Sequence, residues 1–269
     1  MSTYTHGFHT AVLRSHSWRT AANSAAYLLP ELKPGQDLLD VGCGPGSITA
    51  DLAKLVAPGR VTAVDTSAEV LAQAERTAAA AGLDTGPDGI SFEVADVHAL
   101  PYPDDSFDVV HAHQLLQHVA DPVQALREMR RVCRPGGVVA ARDSDYAAFT
   151  WFPAVPELDD WNALYHRVAR GNGGEPEAGR MLRFWARAAG FEQVVSGAGT
   201  WCYASDDERA WWGGMWAERI TDSGIARQAV ERGFATEDDL RRIAEGWRTW
   251  AADPDGWFTV LHGEVLCRA

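Results

Sequence analysis

The chain has 269 residues, 46% of them hydrophobic and 23% charged, a balance that excludes wholesale disorder and fibrous repeats. Lys and Arg number 24 against 37 Asp and Glu, and the net charge of −13 is spread over both halves, which disfavours a long polyanion gripped by a basic face. The opening stretch MSTYTHGFHTAVLRSHSWRT lacks the apolar run of a secretory signal, and nowhere do about 18 uncharged apolar residues follow one another, so a cytoplasmic protein with no membrane and no nucleic acid among its partners is expected.

Residues 1–34 read as N-terminal cap helices. From residue 35 to 145, short β-like runs alternate with helix-like segments, the pattern of a parallel sheet covered on both faces. Asp37–Val41 is the first strand, and Ser47–Ala57 carries Ile48, Leu52 and Leu55 at helical spacing until Pro58-Gly59 ends it. Val61–Val64 is the second strand. Thr66 to Glu69 has capping-box spacing ahead of Val70, Leu71, Ala74 and Ala78. Strands three and four are Ile90–Ala95 and Phe107–His111. Asp121-Pro122 reads as an N-cap and first-turn proline for a helix burying Leu126, Met129 and Cys133, ended by Pro135-Gly136, and Val138–Ala141 is the fifth strand.

Beyond residue 145 the composition changes, since ten of the eleven tryptophans stand at position 151 or later. Residues 146–174 read as a helical insertion, and 175–204 as a continuation of the core with a helix at Glu177–Ala189 and a strand at Phe191–Tyr203. Residues 205–256 read as a Trp-rich helical lid, and 257–269 as the last core strand. In the lid, Ser205 with Glu208 and Thr236 with Asp239 have capping spacing, while Leu240, Ile243, Trp247 and Trp250 share a helix face. A two-residue turn would connect two antiparallel strands, so an insertion of this size implies that something is covered. The fold class is therefore α/β, a Rossmann-like, mostly parallel sheet of seven strands with helices on both faces, an N-terminal cap and a helical lid before the last strand. The four cysteines, Cys43, Cys133, Cys202 and Cys267, lie far apart with no C-x-x-C pair and are expected to be buried or half-buried thiols.

Leu38 to Gly46, LLDVGCGPG, is an apolar strand running into a glycine turn and a helix, where a ligand approaches the backbone more closely than a Cβ would permit. The G-x-G-x-G spacing differs from the G-x-G-x-x-G dinucleotide fingerprint and so disfavours a nicotinamide cofactor. Asp65 ends the second strand at the interval where an acidic side chain meets a ribose. Asp96 ends the third, placed to accept from an adenine amine while Val97 packs on the ring.

Taken together, LLDVGCGPG, VTAVD at 61–65, ADVHALPYPDDSFDVV at 95–110, HQLLQHVADP at 113–122 and RVCRPGG at 131–137 resemble the class I S-adenosylmethionine-dependent methyltransferases. The resemblance is to the small-molecule branch similar to the ubiquinone and menaquinone biosynthesis methyltransferases. It implies S-adenosyl-L-methionine as cofactor, S-adenosyl-L-homocysteine as product and a small-molecule methyl acceptor. It also implies that Gly42, Cys43 and Gly44 lie against the methionine portion, with Asp40 supporting its amino group. Asp65 would hold the ribose, Thr66 and Val97 flank the adenine, Asp96 bind its amine and Gln114 contact the methionyl end. Tyr4, His16 and Arg19 are its candidates for the cofactor carboxylate.

A sulfonium methyl is already activated, so a base is needed only when the acceptor arrives protonated. His113 and His118 after strand four, and Asp143 after strand five, are the candidates; in similar natural-product enzymes residues at the places of His118 and Asp143 serve acceptor deprotonation. The alternative for His118 is a cap on the helix near Asp121, and His111 reads as packed. No compact carboxylate cluster suggests a metal. The tryptophan pairs of the lid admit a core role or an aromatic-walled acceptor pocket, and Arg167, Arg170 and Gly171–Gly174 read as an anion contact or a hinge. The competing functional reading is a cyclase or regulatory binder that holds the same cofactor without transferring its methyl group.

Overall fold

The computed structural model describes residues 18–86 and 89–269. β1 (Leu38–Val41), buried along its whole length, pairs in parallel with β2 (Val61–Asp65) on one side and β4 (Phe107–His113) on the other. Runs such as Leu38-Leu39 and Val109-Val110 are apolar without alternation because helices cover both faces. β3 (Ile90–Val94) extends the sheet beyond β2, and β5 (Cys133–Ser144) beyond β4. The chain thus steps outward from β1 to β3 and then crosses back to β4, leaving a crevice at the carboxyl ends of β1 and β4.

The remaining strands are antiparallel. β8 (Trp257–Arg268) pairs with β7 (Gln193–Tyr203) along one edge. On its other edge it pairs first with β6 (Thr150–Phe152) and then with β5. The sheet therefore has eight strands, one more than expected. The extra strand is β6, three residues closed by Pro153, too short to show a period. β5 is also longer than expected: α4 (Pro122–Val132) stops before Cys133, so Pro135-Gly136 lies within the strand and not at the helix end.

Asp121 caps α4 as its sequence suggests, its carboxylate accepting from the Gln124 amide at 2.9 Å. The cap of α3 (Ala68–Ala80) falls one residue later than expected, on Ser67, whose hydroxyl accepts from the Val70 amide. α1 (Ala21–Ser24), α2 (Ser47–Val56) and α6 (Ala178–Ala188) complete the helical cover of the sheet.

α5 (Pro156–Gly171), α7 (Asp206–Asp222), α8 (Gly224–Glu231) and α9 (Glu237–Ala252) build a second core around Trp161, Trp216, Trp247, Trp250 and Phe258. Trp161 meets Trp216 and Trp247 edge-on at ring distances of 4.6 and 4.8 Å, contacts worth about 0.5–1.5 kcal/mol each beyond the area they bury. The expected capping boxes of Ser205 with Glu208 and Thr236 with Asp239 both form. Ser205→Ala is accordingly expected to lower stability by about 1 kcal/mol, read as a shifted urea midpoint with unchanged slope.

Three cysteines are buried as expected, but Cys202 is exposed, because β7 is an edge strand that turns Trp201 and Tyr203 inward and Cys202 outward. No helix among the described residues is long and apolar enough to cross a membrane.

Candidate active site

A cavity of about 960 Å³ opens over the carboxyl ends of β1, β2 and β4 and runs under the inserted helices. Its floor begins at the glycine turn. Gly42 and Cys43 donate their amides to the Val64 carbonyl at 2.8 and 3.0 Å, which binds the turn to β2. Gly42 has φ +71°, and a Cβ there would lie 2.9 Å from the Leu115 side chain. Gly44 has φ +55°, and a Cβ added to it would meet nothing within 4 Å, so its bare backbone faces open cavity. Beneath the turn, the buried Asp40 carboxylate accepts from Thr49 Oγ1 at 2.6 Å and pairs with His111 Nδ1 at 2.8 Å. This contact ties the start of α2 to β4 and explains why His111 is packed.

Two further carboxylates stand at neighbouring strand tips. Asp65 Oδ2 accepts from the Gly44 amide at 3.2 Å and Oδ1 from the Ser67 amide at 3.1 Å. Burial raises its pKa against the lowering effect of these amides. Asp96 Oδ1 accepts from the His98 amide at 2.9 Å and pairs with His98 Nδ1 at 2.7 Å, and the amide bond foremost holds its pKa low. Thr66, Val97 and Cys43 line the same stretch of wall, and burial pushes the Cys43 thiol well up.

Gln114, just past β4, is one of two non-glycine residues described with positive φ, at 52°. Such a backbone costs about 1–3 kcal/mol and persists where the surroundings over-determine it. They do so here. Its amide donates to the Arg142 carbonyl at 2.7 Å, and Arg19 Nη2 donates to its Oε1 at 2.7 Å. Its Nε2 donates to Ser144 Oγ at 2.9 Å and to His262 Nε2 at 2.8 Å. Burial, with Arg142 and Arg19 nearby, keeps the His262 pKa well below the usual imidazole range, so the ring is neutral with its proton on Nδ1. Arg19 and Gln114 thereby stand together on the cavity wall. Tyr4 and His16 lie outside the described residues.

The roof of the cavity is aromatic. Tyr146, Phe149, Trp201, Tyr203, Trp212 and Trp216 line it, so these rings serve both the second core and the cavity wall. His113 and His118 line it too. Burial first, and then Arg219 and Arg19, lowers the His118 pKa to about 3; His113 is also held well below the usual range by burial and the Arg19 and Arg142 charges. Both imidazoles are neutral at pH 7, and a group with a pKa near 3 is a weak proton acceptor.

Asp143 is a correction. It does not line the cavity but lies wholly buried behind it, with Oδ1 accepting the Gln117 amide at 3.0 Å. Burial pushes its pKa up to about 7. Its place is under the turn that presents His118. Arg167 and Arg170 likewise turn away from the cavity: Arg167 sits over the Phe234 ring and Arg170 pairs with Glu177.

Sequence reasoning missed Arg219, which lines the cavity at 4% exposure with its guanidinium 4.6 Å over the Trp216 ring. The signal was present: Trp212, Met215, Trp216 and Arg219 follow the i, i+3, i+4, i+7 spacing of one buried helix face.

Residues 32–186 match the family model described as a methyltransferase domain. An uncharacterized methyltransferase of Schizosaccharomyces pombe is 35% identical over 270 residues, covering 98% of this chain and 95% of that protein. The ubiquinone/menaquinone biosynthesis C-methyltransferase of Bdellovibrio bacteriovorus is 45% identical over 132 residues, 49% of this chain and 54% of its own length. Among solved structures, the Haemonchus contortus phosphoethanolamine N-methyltransferase 2, in complex with phosphomonomethylethanolamine and S-adenosylhomocysteine, superposes with a TM-score of 0.54 at 18% identity. That match covers 90% of this chain and 52% of that one, and it shares the fold.

Proposed function

We propose, from the premise that this chain belongs to the methyltransferase family and is an S-adenosylmethionine-dependent enzyme of it, that it methylates a small aromatic or apolar metabolite under its tryptophan-rich lid. The observation that carries this reading is the continuity of one cavity from the glycine turn and the Asp65 and Asp96 carboxylates to a roof of aromatic rings. The residues fit the cofactor: Gly44 leaves backbone bare toward the cavity, and two acidic strand tips flank it.

When bound, the cofactor supplies a sulfonium-activated methyl group. The chain's residues then bind, orient and exclude water. Asp65 accepts from the ribose hydroxyls, Asp96 from the adenine amine, and Thr66 and Val97 close on either face of the base. Arg19, held by Gln114, meets the carboxylate, while Gly42, Cys43 and Gly44 back the methionine portion and Asp40 steadies their turn. The aromatic roof takes the acceptor and fixes its approach line, an alignment that in favourable cases contributes roughly 7–11 kcal/mol.

His113 and His118 flank that approach as neutral walls, and Asp143 positions His118 from behind. With burial and two guanidinium charges opposing protonation of His118, His118→Ala is expected to lower kcat by less than about tenfold. The wild-type kcat profile should show no imidazole inflection between about pH 5 and 8. An inflection near pH 6 that vanishes in the variant would restore His118 as the base.

Methyl-labelled S-adenosylmethionine incubated with the protein and a metabolite extract, followed by mass spectrometry, tests the assignment directly. A labelled aromatic or apolar product supports it. Tight cofactor binding with no S-adenosylhomocysteine formed from any acceptor would favour a non-methylating binder.

A further inference from the structure

The charges lining the cavity are segregated. Its described acidic residues are Asp40, Asp65, Asp96 and Asp121, at the ends of β1, β2 and β3 and at the start of α4. Each already accepts a hydrogen bond from its own neighbourhood, from Thr49, Gly44 and Ser67, His98, and Gln124 respectively. Among the described lining residues from Ser144 onward there is no carboxylate, and Arg219 is the one charged side chain in a wall of Tyr, Phe, Trp and Val.

Arg219 is 4% exposed, with its guanidinium carbon 4.6 Å from the Trp216 ring centroid and Nη1 3.9 Å from Met215 Sδ. A guanidinium is a planar fork of donors, and in such apolar surroundings its interaction with an anion is stronger than in water. His113 lines the same cavity at 7% exposure, and among the described residues neither of its ring nitrogens has a hydrogen-bond partner.

We propose that the acceptor carries an oxyanion, a carboxylate or an ionised phenol, on a flat apolar skeleton, and that Arg219 receives it at the roof of the cavity. This inference rests on the aromatic-acceptor reading above. It assigns Arg219 a specificity role: the aromatic rings select a flat skeleton, and the fork selects those skeletons that are charged. Neighbouring groups register the positive field, since Arg219 is the leading charge acting on both His118 and Tyr146. No carboxylate among the described residues of that wall opposes an incoming anion.

The test uses the full chain loaded with S-adenosylhomocysteine and two matched probe pairs, 2-naphthoate against 2-naphthamide and 4-nitrophenolate against 4-nitroanisole. Binding is read by calorimetry and by fluorescence of the lid tryptophans. The wild type is expected to bind the anion of at least one pair about 10- to 100-fold more tightly than its neutral partner. Arg219→Leu should erase the difference and Arg219→Lys retain part of it, with S-adenosylhomocysteine affinity preserved as the measure of intact folding. Equal or tighter binding of the neutral probes by the wild type, or an anion preference that survives in Arg219→Leu, overturns this inference and leaves an aromatic acceptor standing. If no probe binds while S-adenosylhomocysteine does, the aromatic-acceptor reading falls with it. Should Arg219→Leu not fold, the wild-type comparison and Arg219→Lys decide.

Discussion

Asp65→Ala is expected to weaken S-adenosylmethionine binding by about 100- to 1,000-fold in a calorimetric titration. The carboxylate sits at the tip of β2 with one oxygen accepting from the Gly44 amide and the other from Ser67. It is largely withdrawn from water, so two ribose hydroxyls would be strong additional donors. Hydrogen bonds to a charged group contribute about 1.5–3 kcal/mol each, about 3–6 kcal/mol for the pair, and the expected loss of about 3–4 kcal/mol takes the lower part of that range. The same deletion leaves the Gly44 amide without its acceptor and loosens the turn that cradles the cofactor. Asp65→Asn keeps an oxygen for Gly44 and should lose less. Unchanged affinity in Asp65→Ala would remove the ribose from this end of the cavity.

Asp143→Asn is expected to alter the pH dependence of stability more than any other buried substitution discussed. The native carboxyl has its pKa raised from 3.8 to about 7, chiefly by burial. A raised acid binds its proton more tightly folded than unfolded, so between about pH 4 and 7 the folded state holds the extra proton and stability falls as pH rises. The penalty is zero below the unfolded value and complete above about pH 7, where it amounts to about 4 kcal/mol. Asparagine does not titrate. Urea melts of the two proteins should therefore converge near pH 4, with the variant gaining steadily up to about pH 7 and no further. A difference that does not change with pH would show that Asp143 is ionised throughout.

The half of the cavity proposed for the cofactor was legible because its determinants are local. A glycine turn between an apolar strand and a helix, and carboxylates that end consecutive strands, are read from spacing alone, and the structure brings Gly44, Asp65 and Asp96 to one cavity. The half proposed for the acceptor depends on which face a side chain takes, and that is harder to read at strand ends and on helices apolar all round. Ser144 and Asp143 are adjacent in β5, yet the alternation of a strand turns Ser144 to the cavity and Asp143 into the core. Arg219 shares a helix face with three large apolar residues, but a lone arginine in that series is ordinarily read as a solvent-seeking side chain. The fold followed the same division. Strands buried on both faces were placed closely, whereas β6, with three residues, had no period to display.

The pairing of β8 has a consequence for the order in which the molecule is completed during synthesis. β1 to β5 are contiguous in the first 144 residues and can form a parallel sheet with the glycine turn in place as they emerge. Val260 and His262, which close the cavity and support Gln114, belong to a strand translated more than a hundred residues later, and its partners β5, β6 and β7 must all wait for it. Pairings this distant form slowly. If the proposed sites are right, a nascent chain would complete the nucleoside-binding end of the cavity well before the wall proposed for the acceptor is in place.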